Sequence, residues 1–143
     1  MWNDVIYEPG ELLVVAYKAG RKIGEQRLQT AGEPTQLRLT PDRKTISKNG
    51  QDLSYVLVEA LDAKGNLAPL AMDQLQLELT GAGTIAGVGN GNPQSFAPFQ
   101  ASEVALFYGK AMVILKAGQQ AGKMTLKATS PKLTLGETVI GVE

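Results

Sequence analysis

Apolar and polar residues alternate at a period of two along most of this sequence, and Gly, Pro and Asn cut the alternation into short runs. Side chains two apart share a face in an extended strand, so the pattern predicts β-structure. Glu11 to Lys18 (ELLVVAYK) sets Leu12, Val14 and Ala16 on one face and Leu13, Val15 and Tyr17 on the other. Apolar residues on both faces predict a strand covered on both sides. Ala19-Gly20 supplies a turn, and Lys22 to Thr30 returns as a more polar strand to complete a hairpin. Ala31-Gly32-Glu33-Pro34 then breaks the pattern, because proline removes a ladder donor and restrains the residue before it.

Beyond the breaker the alternation starts afresh. Leu37 and Leu39 alternate with Gln36, Arg38 and Thr40, and Asn49-Gly50 turns the chain into Leu53 to Asp62, where Val56, Val58 and Ala60 share a face. Asp62-Ala63-Lys64-Gly65-Asn66 reads as a hairpin-type loop. Further inward rows are Leu75, Leu77 and Leu79, then Ala111, Val113 and Leu115, then Met124, Leu126 and Ala128, with a last strand within Leu133 to Val142. About seven strands after Pro34 predict an all-β, immunoglobulin-like antiparallel sandwich. Long runs of 3.6-residue period are absent, and residues 69 to 75 have room for one helical turn at most.

With 143 residues the chain has room for one domain, or one domain plus a fragment. A sandwich of about 100 residues buries a workable core without a disulfide or metal staple. The chain has no cysteine, which excludes thiolate chemistry and disulfides, and no histidine, which removes the commonest general base and transition-metal ligand. Fourteen basic and fourteen acidic side chains cancel and are interspersed, so there is no basic stripe for nucleic acid. Asp42-Arg43-Lys44 is mixed in sign and reads as a solvated turn beside Pro41. No apolar run approaches the roughly 20 residues of a membrane-spanning helix, and no membrane insertion is expected. Met1-Trp2-Asn3-Asp4 lacks the basic, apolar and small-residue order of a signal peptide.

Candidate sites are few. Gly87-Val88-Gly89-Asn90-Gly91-Asn92-Pro93 has the glycines of a phosphate cradle, but such a loop needs a helix directly after it, and prolines follow here. It reads as an inter-strand loop with several positive-φ positions, in which Asn90 and Asn92 are the groups able to touch carbohydrate or calcium. Glycoside cleavage requires two facing carboxylates. Glu59 and Glu78 read as outward-facing strand residues and Asp62 as a turn residue, so no catalytic pair is expected. Asp62 also fails the EF-hand pattern, since Ala63 and Lys64 interrupt the alternating oxygen ligands. Trp2, Tyr7, Phe96, Phe99, Phe107 and Tyr108 are the rings that could stack on a sugar, although in a small sandwich they are expected in the core or at an interface. Asn90, Asn92 and Tyr108 are where a sugar site would be sought first. No metal or cofactor is expected, and the serines have neither a histidine partner nor a G-x-S-x-G elbow.

Several segments in order carry a resemblance. Trp2 to Leu12 (WNDVIYEPGEL), Val15-Ala16-Tyr17-Lys18 and Thr30-Ala31-Gly32 resemble the closing strands of a sandwich found after the catalytic barrel in bacterial β-galactosidases of glycoside hydrolase family 2. Leu39-Thr40-Pro41-Asp42-Arg43, Gly50 to Val56, Asp62 to Asn66 and Ile85 to Pro93 resemble the next module of those enzymes, an immunoglobulin-like domain related to bacterial adhesin repeats. Ala68-Pro69-Leu70-Ala71 departs from the more polar Val-Pro-type turn expected there. The resemblance implies terminal strands of a preceding sandwich over residues 1–33 and an immunoglobulin-like domain over 34–143. It further implies an accessory, non-catalytic module of a periplasmic, cell-surface or secreted parent enzyme, whose catalytic glutamates reside in another domain. Its expected partners are the neighbouring domains of that parent, with self-association through residues 11–30 where those are missing. The alternatives are a carbohydrate-binding module and an adhesin-type spacer, since fold alone does not assign function.

Overall fold

The computed structural model describes residues 6–143, so the Trp2-to-Val5 part of the opening motif, Trp2 included, lies outside the described residues. The regular elements are strands: β1 (Glu11–Lys18), β2 (Arg21–Gln29), β3 (Pro34–Pro41), β4 (Thr45–Ile46), β5 (Leu53–Asp62), β6 (Gln74–Gly81), β7 (Gly83–Gly89), β8 (Glu103–Ala105), β9 (Lys110–Ala117), β10 (Gly122–Thr129) and β11 (Gly136–Val142). Residues 69 to 75, with room for one helical turn at most, hold only a β-turn, closed by Ala71 N–H donating to Ala68 C=O at 3.1 Å.

β3, β5, β9 and β7 form a four-stranded sheet, and β4, β11, β10, β6 and β8 a five-stranded one, antiparallel except where β4 runs parallel to β11. Their inward rows meet in one core. Leu37 and Leu39 of β3, Val56 and Val58 of β5 and Val113 of β9 face Leu75, Met124, Leu126 and Ile140 of the other sheet. The register explains the rows: Val56 lies opposite Val113 and Leu39 opposite Val58, so apolar side chains align across strands as well as along them. This is the immunoglobulin-like sandwich that the alternation predicts.

Two details differ from expectation. Gly87 and Gly89 belong to β7 rather than to a loop, and only Gly91 in that stretch has a positive φ. Between β6 and β7 the chain passes from one sheet to the other through Ala82 alone. Gly81 makes this possible: it sits at φ +101°, and a Cβ there would lie 1.9 Å from the carbonyl oxygen of Lys123.

β1 and β2 stand as a separate two-stranded sheet. Ala19 (φ 48°) and Gly20 make the two-residue turn, in the left-handed geometry that matches strand twist. Both strands are exposed, with only Val15 partly covered, so the expected cover on both sides is absent. The register also shows that the two faces differ. Leu12 lies opposite Leu28, Val14 opposite Gln26 and Ala16 opposite Gly24, a stretch without a charge until Lys18 and Arg21 at the tip. On the other face Leu13, Val15 and Tyr17 lie opposite Arg27, Glu25 and Lys22. Each apolar side chain there has a charged neighbour, which suits a solvated face.

Candidate functional site

Two of the three carboxylates weighed from the sequence, Glu59 and Asp62, serve structure. Glu59, read from the sequence as outward facing and solvated, is buried. Its in-register neighbours are Arg38 on β3 and Lys110 on β9, and they close over it with ion pairs of 2.8 and 3.7 Å. Glu78 is exposed on β6. Asp62, expected in a turn, is also buried. Its Oδ1 accepts the N–H groups of Lys64 and Asn66, both at 2.8 Å, and its Oδ2 accepts Gly32 N–H at 2.9 Å and Asn66 Nδ2 at 3.1 Å. The Gly32 donor, then Asn66 and Lys64, outweigh the cost of desolvation and lower the Asp62 pKa to about 2. Asp62 thereby fastens the segment between hairpin and sandwich to the end of β5. A lone Asp in a turn signal predicts its bonds to Lys64 and Asn66, whereas the bond to Gly32, thirty residues away, has no local signature.

A second polar corner closes the loop after β3. Arg43 pairs with Asp52 at 2.9 Å and donates to the Leu53 carbonyl, and Asp52 Oδ2 accepts Ser47 N–H at 2.8 Å. The Ser47 N–H and then the Arg43 guanidinium hold the Asp52 pKa below its ordinary value. Asp42-Arg43-Lys44 is the exposed turn expected, and it is also a hydrogen-bonded corner.

The sequence-derived sugar candidates do not converge. Asn90 Nδ2 donates to the Ala105 carbonyl and its Oδ1 accepts Asn92 N–H, both at 3.0 Å, so Asn90 shapes its own loop. Asn92 Oδ1 accepts Gln94 N–H at 3.0 Å. Both asparagines line a cavity of ≈ 330 Å³, and Tyr108 is not among its lining residues. Tyr108 (φ 50°) and Gly109 (φ 74°) instead form the two-residue turn that feeds β9, and the Tyr108 ring meets Phe107 edge to face at 4.5 Å. The ring that does line the cavity is Phe99. Of the two places expected for the aromatics, core or interface, the core holds none among the described residues: it is aliphatic, and Phe96 and Phe99 are exposed.

A larger cleft, ≈ 1480 Å³, lies between the base of the hairpin and one end of the sandwich. Leu12 and Leu28 line one side, and Leu70, Met72 and Leu133 the other.

Comparison with known proteins then decides the family. Residues 37–139 match the glycoside hydrolase family 2 C-terminal domain 5. The chain belongs to this domain family. As a domain 5 chain of glycoside hydrolase family 2, it is similar to a β-galactosidase of Bacteroides ovatus, 42% identical over 139 residues, which are 97% of the chain and 16% of the relative. It is also similar to the crystal structure of a family 2 glycosyl hydrolase from Bacteroides cellulosilyticus, with TM-score 0.91 and 32% identity over 97% of the chain and 18% of that structure. A β-glycosidase from Bacteroides vulgatus superimposes with TM-score 0.92 at 27% identity, over 96% of the chain and 18% of its own. The domain 5 chain thus spans less than a fifth of the length of these relatives.

Proposed function

We propose that this chain is a non-catalytic structural module of a family 2 glycosidase with β-galactosidase-like activity, and that it packs against neighbouring domains and supports their active form. The hairpin carries the reading. An isolated two-stranded hairpin is marginal in water, yet this one leaves the uncharged patch of Leu12, Val14, Ala16 and Leu28 uncovered beside a sandwich with a core of its own. Such a face suits the core of another domain, and residues 1–33 then act as the closing strands of a preceding sandwich. Family membership and the likeness to a β-galactosidase support the choice of parent.

The test is an enzyme carrying this chain, prepared with and without residues 34–143. The expected outcome is a lower melting temperature and soluble yield, with kcat/KM on an aryl β-galactoside reduced less than about tenfold in the soluble fraction, under 1.4 kcal/mol of transition-state stabilisation. A loss of about a thousandfold in kcat with unchanged stability would instead assign a catalytic residue to the module.

A further inference from the structure

The loop from Asn90 to Ser102 has no regular structure and no charged residue. Loops this long inside a compact domain are usually either functional or disordered. This one is held firmly. Phe99 C=O accepts Val88 N–H at 2.7 Å on the edge of β7, and Ser102 C=O accepts Leu77 N–H at 2.8 Å on β6. The Phe99 ring lies over Gly89, where an added Cβ would meet it at 3.8 Å. Backed by strand on one side, the ring remains 77% exposed, and Phe96 nearby in sequence is fully exposed. In a domain whose core uses no aromatic ring, these two are displayed.

We propose that this loop and the cavity behind it form a binding site for a neutral saccharide, with Phe99 as its stacking platform. The negative face of an aromatic ring attracts the polarised C–H groups on the apolar side of a pyranose. Hydroxyl partners are at hand, because the Asn92 Nδ2 group and the Gln74 side-chain amide, both of lining residues, make no hydrogen bond with the described residues. Among the lining residues the single charge is Glu103, whose carboxylate already accepts Gln76 Nε2 at 2.9 Å. No cation faces the cavity to hold an anionic ligand. At ≈ 330 Å³ it lies at the small end of ligand pockets, which run about 300–1,000 Å³, and suits one or two sugar rings. The site is independent of the packing role, which would stand if it failed.

The experiment follows backbone amide NMR shifts of the full chain during titration with galactose, lactose and cellobiose. Saturable shifts with at least one sugar are expected, confined to the residues around the cavity. Phe99→Ala should weaken binding at least tenfold, and Tyr108→Ala should leave it unchanged. If Phe99→Ala fails to fold, Gln74→Ala and Asn92→Ala should each weaken binding measurably. Absence of saturable shifts with all three sugars at tens of millimolar would overturn the proposal. So would loop shifts that follow protein concentration instead of sugar, which would make the aromatics a contact between copies.

Discussion

Asp62 and Gly81 each hold a long-range junction. The Asp62 carboxylate has a folded-state pKa of about 2 against an ordinary 3.8. A lowered pKa means that its contribution to stability is complete above the ordinary value and is lost as pH falls from about 3.8 through about 2. Asp62→Asn should therefore lower the melting temperature near neutral pH and narrow its gap to the parent across that acid window. Melting curves of both proteins check this, and a gap that stays constant down to pH 2 would contradict the assigned role. At Gly81 the cause is steric. Gly81→Ala drives a Cβ into the Lys123 carbonyl in a conformation that L-residues rarely adopt, and it should cost about 2–4 kcal/mol in denaturant unfolding.

At the scale of elements, the rows of β5, β6, β9 and β10 were legible in the sequence because period two is a local signal. Val58, flanked inward by Val56 and Ala60, shows it plainly, and it is fully buried. Val58→Asp should abolish cooperative unfolding or cost several kcal/mol, since a carboxylate would be buried without a partner. Strand β7 was not legible. Its glycines resemble a loop until β9 supplies a ladder, and β4 and β8 are too short to show a period. The burial of Glu59 was equally hidden, because Arg38 and Lys110 reach it from other strands. Of the cavity, the sequence pointed to Asn90 and Asn92 and held Phe99 as one of six candidate rings, but its place over Gly89 across the loop has no local signal. For β1 and β2, the apolar residues were visible but the unequal faces emerged only from the register. With the Leu12, Val14 and Leu28 face uncovered, the full chain should self-associate as its concentration rises, while Leu28→Glu restores the monomer. Sedimentation velocity measures both, and a monomeric parent at all concentrations would remove self-association through residues 11–30.

At the scale of the whole molecule, a two-sheet sandwich stands beside a separate two-stranded hairpin. Removing residues 1–33 deletes the Gly32 donor to Asp62 and the partly buried Ala31, but no member of the buried core. Pro34–Glu143 should then unfold in one cooperative transition, at a somewhat lower melting temperature than the full chain. The proposed role requires that the module do no chemistry itself. Glu59 is held between two cations, Glu78 is exposed on its strand, and Asp62 is spent on four hydrogen bonds. The most direct measurement is hydrolysis of an aryl β-galactoside by the purified 143-residue chain, from a host lacking β-galactosidase. Turnover equal to a buffer blank is expected. Turnover that scales with the chain and disappears in Glu59→Gln or Glu78→Gln would contradict it.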